Sequence, residues 1–246
     1  GVMFDFLRSA PGEPRVVTGH AGGLITLDLD DTLWPVAPTI ASAEQDLLEW
    51  LSAHAPKTAD LTKQSDVKQA IRQKVMSMHQ ARLHDLGFLR REMLRESLCL
   101  AGDDPSLADM AYVVFDTARQ RVTLYQGAQE ALARLALKFR LVAISNGTAN
   151  VFLTPAGPYF AAAFSAHEVG VAKPDAKIYH AATTYLGLKP ELVLHIGDDA
   201  VADILGAKEA GLQTAWINPE GKLWADQSPQ PWTVRNISEV AHFLQV

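Results

Sequence analysis

One cysteine, Cys99, stands among 246 residues. It leaves no partner for an internal disulfide and fits a reducing cytoplasm. Cys99 falls in an apolar helical pattern, so a small core residue is expected there. No apolar run is long enough to cross a bilayer, and no membrane association is expected. The stretch from Gly1 to Gly23 carries Asp5, Arg8, Glu13 and Arg15 without a sustained apolar run, so it does not read as a secretory signal. A basic surplus is missing as well. With 22 Lys and Arg against 28 Asp and Glu, the formal charge of −6 argues against nonspecific nucleic-acid binding. No Gly-x-Gly-x-x-Gly occurs, so a nicotinamide enzyme has no support. Internal repeats and low-complexity tracts are absent too.

What is present is an ordinary globular composition, 48% apolar and 20% charged, long enough for a sizeable core with or without an insertion. The charge is uneven. From Lys57 to Glu96 nine basic residues face five acidic ones, a local +4 against −10 for the remainder. A solvated helix face explains that bias; a basic lid over an anionic substrate is the alternative. After the apolar run Leu24–Leu27, helical periodicity dominates. Ile40, Leu47, Leu48 and Leu51 share one face, as do Val67, Ala70, Ile71, Val75 and Met78, and again Leu107, Met110, Ala111, Val114 and Ala118. Breaks are expected at Ala55–Asp66 and Gly102–Pro105.

From about Thr123 the texture changes. Helices at Ala128–Leu137, Ala176–Leu186 and Val201–Ala210 alternate with strands at Phe139–Ser145, Ala161–Ala166, Leu192–Ile196 and Gln213–Ile217. A polar loop at Gly221–Pro231 precedes a short closing strand and helix. Such alternation predicts an α/β fold, a doubly wound, Rossmann-like parallel sheet with helices on both faces. The expected domains are an α/β core over 1–37 and 121–246, and an inserted α-helical domain over 38–120.

Four segments carry chemistry. Asp28-Leu29-Asp30-Asp31-Thr32 follows the first buried strand, where ligands bind beyond the carboxyl ends of an open parallel sheet. One aspartate can attack as a nucleophile while another handles the proton, and both can hold a divalent cation. Ser145-Asn146-Gly147 offers a hydroxyl and main-chain N–H groups at a strand-to-helix turn, a small anion site or an ordinary turn. Lys173, before Pro174 and the helix-capping Asp175, could neutralise phosphate charge. Asp198 ends the strand Leu192–Ile196 as Asp28 ends its own, and Asp203, Gly206, Ala207 and Ala210 share one helix face. Gathering Asp28, Asp30 and Asp198 would cost several kcal/mol without a cation, and oxygen-only ligands suit Mg²⁺.

DLDDT, SNG, AKPD and GDDAVAD, in this order, resemble the four motifs of the haloacid dehalogenase superfamily. The gap from Asp28 to Ser145 resembles the subfamily with a helical cap between its first two motifs. The resemblance implies a hydrolase in which Asp28 attacks phosphorus and Asp30 exchanges the proton. It implies phosphoryl contacts from Ser145, Lys173 and amides near Leu29 and Asn146. It also implies Mg²⁺ on Asp28, the Asp30 carbonyl and Asp198, supported by Asp199 or Asp203. Members that remove halide have no acid at the Asp30 position, so Asp30 implies a phosphatase or a phosphomutase.

LVAISNG, HIGDDAVADILGAKEAG and AWINPEG look similar to bacterial phosphatases of flavin mononucleotide and of the phosphorylated ribitylaminouracil intermediate. A small phosphorylated metabolite is therefore the expected partner of a cytoplasmic monomer or homodimer. Phosphoglycolate phosphatase, sugar phosphomutase and an idle phosphate-binding scaffold are the alternatives. His195 reads as a hydrogen-bonded core residue. His79 and His84 are five apart, off a shared helix face. Trp34 either touches substrate or packs against the cap, while Trp50, Trp216, Trp224 and Trp232 read as packing residues.

Overall fold

The computed structural model describes residues 3–5, 16–18 and 23–246. The stretch read above as lacking a secretory signal lies largely outside them. Two compact units divide the chain. One joins the segment ending at Pro35 to Val122–Val246, and the other is Val36–Arg121.

In the first unit, β1 (Met3–Asp5) and β2 (Val16–Thr18) form an antiparallel pair. The central strand β3 (Leu24–Leu27) is buried at every position, as a parallel strand covered on both faces must be. The chain then leaves the sheet for the helical unit, which contains α1 (Val36–His54), α2 (Pro56–Thr62), α3 (Ser65–Met78), α4 (Leu86–Ala101) and α5 (Ala108–Arg119). It returns through α6 (Ala128–Ala136), β4 (Arg140–Ser145), β5 (Phe160–Ser165), α7 (Ala166–Val169), α8 (Ala176–Leu186) and β6 (Val193–Gly197). A wide helical turn over Ala200–Leu205 runs into α9 (Gly206–Glu209), and β7 (Gln213–Ile217), β8 (Thr233–Val234) and α10 (Ile237–Phe243) close the fold.

The six-stranded sheet has the order β5-β4-β3-β6-β7-β8, with every pairing parallel. The chain winds outward from β3 in both directions, so a crevice opens at the carboxyl ends of β3 and its neighbours. Two apolar clusters pack the sheet's faces, one around Ile25, Leu27, Trp34 and Leu141 and the other around Val142, Ile178 and Ala207. At the base of the insertion, Tyr125 N donates to the Leu33 carbonyl at 2.9 Å.

The helical unit buries Leu51, Leu94, Leu98 and Ala111 in one cluster, and Ala43, Phe115 and Ala118 in a second. Full burial of a leucine such as Leu98 contributes roughly 1.5–3 kcal/mol. Asp85 caps α4 by accepting from Phe88 N at 3.1 Å, and Gly102, at φ 83°, ends it.

Several expectations need correction. The expected break at Ala55–Asp66 contains α2, because Pro56 presets the first helical φ and Asp103 accepts from both Thr58 N and Thr58 Oγ1. Met78 (64% exposed) and Met110 (57%) lie off the buried faces assigned to them. On α5 that face runs through Ala108, Ala111, Phe115 and Ala118 instead. Cys99 is exposed, since Leu94, Ser97 and Leu98 take the inward face of α4. Trp34 is completely buried and belongs to the core of the α/β unit. No helix among the described residues is long and apolar enough to cross a membrane.

Candidate active site

The turn after β3 is built by its own main chain. Asp31 adopts φ 63°, a conformation aspartate tolerates better than most residues, and lets the chain reverse. Asp31 N then bonds the Trp34 carbonyl at 2.7 Å, and Leu33 N the Leu29 carbonyl at 2.9 Å. Asp28 N bonds the Ile196 carbonyl at 2.9 Å, which ties the ends of β3 and β6 together. Asp28 and Asp198 are therefore delivered side by side. Thr32 Oγ1 lies 3.1 Å from Asp28 Oδ2 and 3.0 Å from Asp198 Oδ1, so one hydroxyl serves both carboxylates. Trp216 Nε1 fixes the main chain beneath, donating to the Asp198 carbonyl at 2.9 Å.

Asp30 points elsewhere. Its Oδ1 accepts from Trp34 Nε1 at 2.8 Å, and the indole is locked in the core, so the carboxyl group is anchored through that oxygen.

Lys173 is buried among anions. Its Nζ lies 3.0 Å from Asp28 Oδ1 and 2.7 Å from Asp203 Oδ1. The Asn146 side chain clamps the peptide of Lys173 from both sides, accepting from its N–H at 2.7 Å and donating to its carbonyl at 3.0 Å. Any Asn146 contact with an anion is thus left to its main chain. Ser145 Oγ accepts from Gly147 N at 3.0 Å, which leaves the hydroxyl proton available as a donor.

Asp203 is held on both oxygens. Its Oδ1 receives Lys173 Nζ and His195 Nε2, and its Oδ2 receives Asp199 N at 3.1 Å. A β-carbon on Gly197 would collide with the Asp203 side chain, so only glycine permits this approach. Asp199 is exposed and caps the following turn, accepting from Val201 N and Ala202 N. The Asp203 carboxylate is thus brought into the cluster, and that of Asp199 is not.

Electrostatics follow from burial. Asp28 is pushed up by burial and by the Asp203 charge, against the pull of Lys173. Asp198 is pushed up to about 8 by burial and by its hydrogen bond and repulsion with Asp28. Burial works to raise Asp203 too, but the Lys173 charge and the His195 hydrogen bond hold it well below the carboxylate range. Burial alone would lower Lys173; Asp203 and Asp28 outweigh it and keep the ammonium charged. Oxygens of Asp28, Asp198 and Asp203 all lie within 4.8 Å of one another. Two carboxyl groups raised by burial and proximity, with only oxygen donors, fit a hard divalent cation.

A family model for haloacid dehalogenase-like hydrolases matches residues 23–211. The chain belongs to that family. A 2-haloacid dehalogenase from Pseudomonas syringae pv. Tomato DC3000 superposes with a TM-score of 0.85 at 34% identity, over 90% of this chain and 97% of that one. The 5-amino-6-(5-phospho-D-ribitylamino)uracil phosphatase YigB of Escherichia coli is 32% identical over 80% of this chain and 83% of its own length. The phosphoserine phosphatase of Thermus thermophilus is 28% identical over 79% and 88%. Haloacid dehalogenase-like hydrolases of different chemistry are therefore all similar to this one, and the choice rests on its own residues.

Sequence reasoning overlooked Thr32 as the bridge between Asp28 and Asp198, and Trp34 as the partner of Asp30. The i, i+4 spacing of Asp30 and Trp34 was the available signal. Trp216 and Asp198 are 18 residues apart and gave none.

Proposed function

We propose that the chain is a Mg²⁺-dependent phosphoric monoester hydrolase working through an aspartyl-phosphate on Asp28. The observation that carries this reading is Asp30, a carboxyl group two residues beyond Asp28 and anchored there by the Trp34 indole. An alkoxide leaving phosphorus needs a proton, whereas a halide leaving carbon needs none. An acid held at this position has work only in the first reaction.

Asp28 attacks phosphorus, the bond to the leaving oxygen breaks, and that oxygen takes the Asp30 proton. Asp30, now ionised, takes a proton from water, whose oxygen attacks the phosphoryl group and frees Asp28 and inorganic phosphate. Lys173, the Ser145 hydroxyl and the amides near Leu29 and Asn146 hold the phosphoryl oxygens. Asp28, the Asp30 carbonyl and Asp198 would hold Mg²⁺, with Asp203 in support, and the ion when bound offsets the charge of phosphoryl group and carboxylates.

The favoured substrate is a flavin-pathway phosphate, 5-amino-6-(5-phospho-D-ribitylamino)uracil, supported by the likeness to YigB. Every proposed phosphate contact comes from the α/β unit, so we assign choice of the leaving group to Val36–Arg121. The same reading makes the protein a cytoplasmic monomer or homodimer that needs neither nucleic acid nor membrane.

The test is phosphate release, with Mg²⁺, from this compound, flavin mononucleotide, phosphoserine, glyceraldehyde 3-phosphate and phosphoglycolate, beside halide release from a 2-haloacid. Phosphate without halide is expected. Halide release alone overturns the reading, and preference for phosphoglycolate removes the flavin substrate.

A further inference from the structure

A buried chain of side chains runs from the middle of the sheet to Asp28. Thr26 and His195 are direct neighbours in the register of β3 and β6, and His195 is completely buried. Its Nδ1 lies 2.7 Å from Thr26 Oγ1 and its Nε2 2.9 Å from Asp203 Oδ1. That same Asp203 oxygen lies 2.7 Å from Lys173 Nζ, which reaches Asp28 at 3.0 Å. The imidazole is wedged edge-on against Tyr179, ring centroids 5.5 Å apart, and the Tyr179 hydroxyl bonds the Ala202 carbonyl in the turn that carries Asp203.

An ionised Asp203 only accepts, so His195 Nε2 carries a hydrogen. The Thr26 hydroxyl pairs with the other ring nitrogen, Nδ1.

We propose that His195 is a positioning residue for the phosphoryl-transfer step, acting through Asp203 to set where Lys173 sits relative to Asp28. This deepens the phosphatase reading and rests on it. Asp203 Oδ1 is shared between the imidazole N–H and the ammonium. Removal of the imidazole N–H leaves the whole oxygen to Lys173 and draws the ammonium toward Asp203, away from Asp28. The nucleophile then loses the cation that orients it. Thr26 holds the other ring nitrogen and so fixes the ring's orientation, the same arrangement by which an outer partner orients a functional histidine.

Two substitutions of similar size separate this role from simple core filling. His195→Gln places an amide N–H near the Nε2 position and keeps the donor for Asp203. His195→Asn reaches only as far as Nδ1 and keeps contact with Thr26 alone. Measured on p-nitrophenyl phosphate with Mg²⁺, His195→Gln should hold kcat within about threefold, and His195→Asn should lose about 10–100-fold in kcat. KM should change little in either. Equal kcat in the two variants overturns the proposal.

The second measurement needs no turnover. Nitrogen-15 NMR of the metal-free protein should show a hydrogen on His195 Nε2, and an Nε2 without one overturns the proposal. Absence of phosphate release by the unaltered protein from every monoester would sink the phosphatase reading itself. That outcome is distinct from an active protein indifferent to His195→Asn.

Discussion

Trp34 Nε1 donates to Asp30 Oδ1 at 2.8 Å, from a ring with no solvent exposure. The residue that anchors the proposed acid is therefore a core residue, and its two roles separate by substitution. Trp34→Phe keeps an aromatic ring in the core and deletes the donor. Asp30 is then less firmly aimed, and kcat should fall about 10-fold while KM stays within about twofold. Asp30→Asn removes proton exchange altogether and should lose roughly 10²–10⁴-fold in kcat. Steady-state kinetics on one monoester compares the two, and a Trp34→Phe loss as large as that of Asp30→Asn would assign the indole a role beyond anchoring.

Asp28→Asn should abolish turnover, because the amide oxygen is a poor nucleophile, while the fold persists. It should also raise the melting temperature of the metal-free protein, since Asp28 is a buried carboxyl group destabilised by burial and by Asp203. Calorimetry in chelator reads this directly. A lower melting temperature would mean that the Lys173–Asp28 contact outweighs the repulsion.

The pH dependence of the metal-free protein follows from the same groups. Burial and the neighbouring Asp28 push Asp198 up to about 8 in the folded state, against an ordinary carboxylate value of about 4 when unfolded, and Asp28 is shifted in the same direction. Between those limits the folded state holds more protons than the unfolded one, so stability falls as pH rises from about 4 to about 8. Mg²⁺ should restore stability most at the alkaline end, where the carboxylates are free of protons. Melting curves at pH 5, 6.5 and 8, with chelator or Mg²⁺, check the sign. A flat difference across that range would exclude Asp28 and Asp198 as its ligands.

Gly197→Ala should destabilise the fold by about 1–3 kcal/mol, the ordinary result of overpacking. The added carbon meets Asp203, which cannot yield because both its oxygens are held. Activity should fall more than stability, as Asp203 carries Lys173 with it. Denaturant unfolding beside kcat measures the two, and an unaltered kcat in the folded variant would show that Asp203 can shift harmlessly.

The sheet and its long helices were legible because local signals agreed there. Helix α8 begins after its Asp175 cap and stops at Gly187, in the left-handed conformation, so its limits could be read from the chain. β7 matches the expected strand for a similar reason, a β-branched and aromatic run between turns. Helix α2 was hidden by its polar composition, and Asp103, which ties down its first turn at Thr58, lies 45 residues away. Cys99 was misplaced because apolar neighbours on both faces of α4 blur its period. In the site, the residues at strand ends were readable by position. The link between Thr26 and His195 was not, because 169 residues separate them and only the parallel register joins them.

The bond from Tyr125 N to the Leu33 carbonyl pinches the chain shut where the helical unit departs and returns. Everything between those two residues is, to the sheet, a closed ring attached at its neck. Lengthening such a ring is thermodynamically cheap, about 0.6 kcal/mol per doubling. β3 and β4 can therefore keep their pairing whether the detour is a few residues or a whole bundle. Insertions of very different length and composition can be grafted at this neck, and the strands that present Asp28 and Ser145 would register none of it.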